Sequence, residues 1–268
     1  MRCLGRIPSR PDRRTLQLRR YLRPAELPGA PPARDWAHPA HAPVWGMYGN
    51  DRIGDCAQAA CGHLIQLASA VTGRPADVRV ADIEGAYAAI TGWDPAQPAT
   101  DRGSQMLDVL RYWRATGIAG VRIDAFVAFD PRNAMQLETA INLFGGAYLG
   151  LDLPIAAQTQ TVWDVSPSGP HGDAWQPGSW GGHAVAVMGY DRLTVLLVSW
   201  GALRIATRDF LRAYASEAYA TLGGLWAAPG ELAPSGFDRA LLDADLAALG
   251  AAGQSSVARG PAGSQGPT

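Results

Sequence analysis

The chain has 268 residues, 47% hydrophobic and 18% charged, enough for one large domain or two small lobes around a substantial core. Asp82, Arg111, Asp152 and Arg204 interrupt every apolar run long enough to matter, which excludes a membrane-spanning segment. The cysteines, Cys3, Cys56 and Cys61, are too few for a disulfide framework; on one helix Cys56 and Cys61 would sit roughly 7.5 Å apart along the axis, too far to bridge.

The net charge of -1 hides an asymmetry, because residues 1–23 hold eight arginines against the single acid Asp12. Without interleaved aromatic residues this basic head reads as a solvated extension and not as a nucleic-acid arm. Residues 1–34 contain no apolar signal-peptide core, so a cytoplasmic location is expected. All 23 basic residues are arginine, which with the excess of Ala and Gly suggests a GC-rich bacterial coding sequence.

Pro28, Pro31 and Pro32 make residues 24–34 an extended linker, so 1–34 is expected to be mobile and the body to begin near Asp35-Trp36. From Cys56 to Thr72 the apolar residues recur at helical spacing, with Asp55 as an N-cap acceptor. Further helices are predicted over 80–90, 104–116 and 133–144, the last two ending at Gly117 and Gly145. After Gly146 the period changes. AYLGLDL, GHAVAVMGYD and LTVLLVSWG read as strands, the last two joined as a hairpin near Asp191-Arg192. A short helix at 207–215, a strand over EAYATL and a closing helix at 236–249 follow; 250–268 has the composition of a disordered tail. Helices first and strands afterwards point to an α+β fold.

Cys56 opens a helix, where unpaired N–H groups and the positive end of the helix dipole favour a nucleophilic thiolate; the alternative is a small buried hydrophobe. A nucleophilic thiol needs an imidazole. His38 and His41 lie in the Pro-rich entry, His171 in a Gly- and Pro-rich loop, and His63 is seven residues beyond Cys56, roughly 10.5 Å along the helix and out of reach. His183 opens a strand behind two glycines, with Val185 and Val187 alternating from it. A zinc site on Cys56, Cys61 and His63 is disfavoured, because that spacing lies on one rigid helix, and neither a metal nor another cofactor is expected.

These residues resemble the papain-like cysteine peptidases over several motifs in the same order. DW at 35–36 and PVWGMYGNDRIGDC at 43–56 are similar to the family's opening segment, HAVAVMGYD at 183–191 to its histidine strand, and SWG at 199–201 to its Ser-Trp-Gly. TDRGSQMLDVLRYWRATGI and AINLFGGAYLGLDL look like the intervening helix and the crossing between the lobes. The resemblance implies a two-lobe α+β fold over 35–235, with a helical lobe at about 35–135 and an antiparallel, barrel-like lobe at about 136–235. It implies Cys56 as nucleophile, His183 as general acid and base, Asn50 with the Cys56 N–H as oxyanion donors, and Gly103, Gly182 and Trp200 against a peptide or amide substrate. Two positions depart from the family: Asn50 stands for its usual Gln, and Val198 for the Asn that orients the histidine. Ser199 is the alternative orienter if the hairpin is one residue shorter. The expectations are therefore a thiol-dependent hydrolase, an inert papain-fold protein that binds a peptide or partner, or a transferase or deamidase using the same thioester.

Overall fold

The computed structural model describes residues 2–10, 12, 15–18, 29–38, 44–166, 172–236 and 238–240. His41, His171, the tail and most of the expected closing helix lie outside the described residues.

The helix expected from Cys56 is α1 (Cys56–Thr72), ended by Gly73 in the left-handed conformation. Three more follow at α2 (Val80–Thr91), α3 (Met106–Ala115) and α4 (Ala134–Phe144). In α4 the Asn133 side chain caps the Gln136 N–H, and α5 (Arg208–Tyr214) is capped in the same way by Thr207. Asp55 does not cap α1: its carboxylate accepts from the Gly49 N–H at 3.0 Å. The cysteine's helix therefore begins on a tightened loop, and its first turn lacks the side-chain acceptor that the Gly-Asp pair suggested.

Among the described residues eight strands form one sheet: β1 (Arg34–Asp35), β2 (Ala125–Phe129), β3 (Ala147–Leu153), β4 (Val162–Trp163), β5 (Gly181–Tyr190), β6 (Thr194–Ser199), β7 (Ala202–Thr207) and β8 (Ala215–Leu222). The order is β2-β8-β3-β5-β6-β7-β4, with β1 beside β5, and every pairing is antiparallel except β4 with β7. The helix-rich half thus contributes a strand, β2, whose AFVAF has the alternation of a half-buried strand and pairs with β8.

β5 is buried on both faces, so the one-sided alternation expected from His183 is incomplete. Val185 and Val187 pack with Leu149, Leu151, Leu197 and Phe210, whereas Ala184, Ala186 and Met188 pack with Ala57, Ala60 and Leu64 of α1. The small residues on the second face let α1 lie close against the strand that carries His183. Asp35-Trp36 anchors this centre: Trp36 donates its backbone N–H to Met188 and its indole N–H to Ile141.

Candidate active site

Cys56 starts α1 and is buried, and the backbones of Ala184 and Gly5 lie near enough to its thiol to act against the effect of burial on its pKa. Ala184 follows His183 directly, so α1 and β5 bring the thiol to the histidine's own stretch of strand. The imidazole is held on two sides. Its Nε2 lies 2.8 Å from Ser199 Oγ, and its face stacks on Trp200 at 4.3 Å between centroids and 12° between planes. Its Nδ1 is buried with no hydrogen-bond partner.

The turn between β6 and β7 explains why Ser199 and not Val198 meets the imidazole. Ser199 pairs with Ala202, so Trp200 and Gly201 form a two-residue hairpin loop, with φ of 50° and 69°. Positive φ at both positions is the signature of a type I′ turn. Side chains alternate across a strand. Val198 sits opposite Ala186 and packs toward α1, which leaves Ser199 on the face of His183.

Asn50 is buried, and its Nδ2 donates to the Cys3 carbonyl at 3.3 Å and to the Ile53 carbonyl at 3.5 Å. The loop that carries it is compressed: Ile53 donates its backbone N–H to the Gly49 carbonyl, and a Cβ on Gly49 would fall 2.6 Å from Asp55 Oδ2. That compression turns the short amide inward. Gly103 and Ser104 are fixed by the Tyr87 hydroxyl, which accepts from the Gly103 N–H, and by Gln58 of α1, which accepts from Ser104 Oγ.

His63 is a core residue. Its Nε2 lies 2.7 Å from the Gly46 carbonyl and its ring packs on Tyr48 and Trp45. His38 is exposed and pairs with Asp35. Among the described residues no group of three His, Cys, Asp or Glu side chains converges on a metal position, and no helix is long and apolar enough to cross a membrane.

Comparison with solved structures gives xylellain, a cysteine protease from Xylella fastidiosa, at a TM-score of 0.59 and 13% identity, covering 83% of this chain and 96% of that one. Procathepsin B from Trypanosoma congolense aligns at 0.56 and 11%, covering 82% and 86%, and digestive procathepsin L 3 of Tenebrio molitor at 0.54 and 12%, covering 82% and 76%. The fold is papain-like. No family model and no curated protein sequence matches the chain.

The face of the fold around Cys56 and His183 is covered by the chain itself. Residues 2–10, read from sequence as a solvated extension, run across it. Cys3 donates its N–H to the Asn50 carbonyl, and its own carbonyl accepts from Asn50 Nδ2 and, at 3.1 Å, from the Trp200 indole. The Gly5 carbonyl accepts from Ser104, Ile7 donates to the Ser104 carbonyl, and Arg6 donates to the Gly182 carbonyl. Backbones approach too closely for side chains: a Cβ would fall 1.9 Å from the Gly54 oxygen at Gly5, 2.0 Å from the Gly5 oxygen at Gly103, and 2.1 Å from the Arg6 oxygen at Gly182. The Arg6 guanidinium is buried against Glu217, at 2.7 Å, and Asp152. Sequence reasoning passed over this arm because it has no apolar face. The signal that could have found it was a lone acid in each of two otherwise uncharged strands, Asp152 in β3 and Glu217 in β8.

Burial sets the direction of both pKa shifts. Burial pushes the Cys56 thiol up to about 12, against the lowering effect of the Ala184 and Gly5 backbones. It holds His183 down to about 3, helped by the nearby cations Arg6 and Arg204. Desolvation thus outweighs the helix start, whose dipole contributes about 0.3–1 kcal/mol. In this arrangement burial favours the neutral thiol and the neutral imidazole.

The same burial predicts how stability follows pH. His183 and His63, lowered to about 3 and about 4, bind fewer protons folded than unfolded, so their stabilisation is complete above about pH 6.5 and is lost as pH falls. Asp55, raised mainly by burial to about 7, runs the other way and gains stability as pH falls from about 7 toward 4. Each group is worth a few kcal/mol across its window, so the two histidines outweigh the one acid. Thermal unfolding should show Tm falling between pH 6.5 and 4.5. In Asp55→Asn, which removes the opposing group, the fall should be steeper; an unchanged slope would contradict this assignment.

Proposed function

We propose that this chain is a thiol-dependent hydrolase of peptides or other amides, working through an acyl-thioester on Cys56. The observation that carries the reading is the imidazole of His183: one nitrogen is oriented by Ser199, one face is covered by Trp200, and the other nitrogen is left without a partner on the segment whose backbone lies near the Cys56 thiol. With Nε2–H donating to Ser199, Nδ1 is free to take the thiol proton. The sulfur attacks the carbonyl carbon, and the developing oxyanion is received by Asn50 Nδ2 and the Cys56 backbone N–H. His183 returns the proton to the departing amine. Water then cleaves the thioester, with His183 acting as base.

Substrate must displace residues 3–7, whose backbone occupies the groups it would use. That occlusion also favours the second reading, an inert papain-fold protein whose cleft only binds.

The test uses the full chain with Gly5→Val, which cannot fit beside Gly54 and so opens the cleft. Hydrolysis of a mixed peptide library should appear and should vanish in the added presence of either Cys56→Ala or His183→Ala. An opened chain that cleaves nothing would leave the binding reading in place. Release of ammonia or formation of a transfer product, in place of a cleaved peptide, would indicate a deamidase or a transferase.

A further inference from the structure

The pocket that holds Arg6 is built for more than one arginine. Gly150, Asp152 and Glu217 come together because β3 pairs with both β5 and β8, placing Gly150 opposite Glu217 and Asp152 opposite Gly182. At Gly150 a Cβ would fall 2.7 Å from Glu217 Cγ, 2.8 Å from Met106 Sδ and 2.9 Å from Arg6 Cδ, so its missing side chain is the space the arginine stem fills. At the far end one guanidinium nitrogen meets Glu217 and another meets Asp152. Tyr219 donates its hydroxyl to the second Glu217 oxygen at 3.1 Å and holds that carboxylate in place.

We infer that this pocket selects an arginine side chain in the substrate, and that Arg6 occupies it as an internal stand-in. The inference rests on the hydrolase reading of the cleft. The Arg6 backbone lies on Gly182 and flanks Ser104, edge groups that an extended substrate would pair with in turn. When the arm leaves, Glu217, 7% exposed beneath Arg6, loses its cation and keeps only the Tyr219 hydroxyl. Two carboxylates facing one pocket with no cation between them favour a positive charge over a neutral group of the same shape. It also discriminates for shape. The two acids are met by two different nitrogens of one planar group, an arrangement a guanidinium satisfies and a single ammonium does not.

Binding should be measured on the full chain carrying Gly5→Val to open the cleft and Cys56→Ala to prevent turnover. Acetylated tetrapeptide amides of alanine, with one arginine walked through the four positions, are compared with the same peptides carrying citrulline, which is neutral and of the same shape, or lysine. At one position arginine should bind at least tenfold more tightly than citrulline and more tightly than lysine. The preference should collapse in Glu217→Gln and shrink in Asp152→Asn. Equal affinity across the series, no binding at all, or a preference that survives both substitutions overturns the inference. Should Glu217→Gln fail to fold, Asp152→Asn at the pocket mouth carries the comparison. Failure of the hydrolase reading gives a different result: with Cys56 intact, arginine peptides bind selectively and none is cleaved. Cleavage without arginine preference sinks the pocket alone.

Discussion

Replacing Gly5 with valine is expected to raise the rate at which iodoacetamide alkylates Cys56 near neutral pH by at least about a hundredfold. The arm cannot accommodate even a methyl group at this position, because its Cβ would lie 1.9 Å from the Gly54 carbonyl oxygen, backbone against backbone, with no side chain to move aside. Two effects then add. The sulfur becomes reachable, and the burial that holds the thiol near 12 is relieved. Relief of burial lowers the thiol toward its ordinary value and raises the thiolate fraction, and the expected factor allows for the loss of nucleophilicity that accompanies a lower pKa. Cys61 lies within α1 with no exposure and serves as the internal control. Mass-spectrometric mapping of both cysteines against time makes the measurement. Equal rates at Cys56 in the wild type and in Gly5→Val would mean that the arm does not govern access. Glu217→Gln, which weakens the arm's ionic anchor, should move the rate in the same direction by a smaller factor.

In the opened chain, Ser199→Ala should lower turnover by about 10- to 100-fold, whereas Val198→Asn should bring no gain and cost stability. Ser199 supplies the only hydrogen bond that the described residues make to the His183 ring. Without it the imidazole keeps its stacking partner but loses what fixes its tautomer, so less of the population has Nδ1 available as a base. Ser199→Thr retains the hydroxyl and should keep most of the activity, which separates orientation from packing. Val198 has no exposure and faces Ala184, Ala186 and α1. An asparagine there buries an amide among apolar groups, away from His183, at a cost of roughly 1–3 kcal/mol. Steady-state rates together with thermal unfolding of each variant decide the matter. A faster Val198→Asn would mean that the face assigned to residue 198 is wrong.

The elements that carry the candidate residues were largely legible in the sequence, and the relations between them were not. α1, with Cys56 at its start, follows from its periodicity, and His183 stands out by its strand and its glycines. The placement of Ser199 depends on a turn with positive φ at a tryptophan, a residue that does not announce a type I′ loop. β7 was hidden for a related reason: ALRIAT places Arg204 and an exposed Ile205 in a strand whose two faces differ little in polarity. The arm was the largest omission. Composition describes whether a segment can form a core; residues 2–10 are instead held by hydrogen bonds to another segment's backbone and by one ion-paired arginine, neither of which leaves a periodic trace.

The loop at Trp200-Gly201 sets local ease against chemistry. A non-glycine residue in the left-handed region carries a conformational penalty of roughly 1–2 kcal/mol, and asparagine or glycine at position 200 would relieve it. Either exchange would remove the surface on which His183 lies flat, together with the aromatic packing that Trp200 shares with Trp163 and Trp180. Selection for a more robust hairpin and selection for an ordered imidazole therefore pull position 200 in opposite directions. Thermal robustness gained at this turn would come at the expense of the histidine beside it.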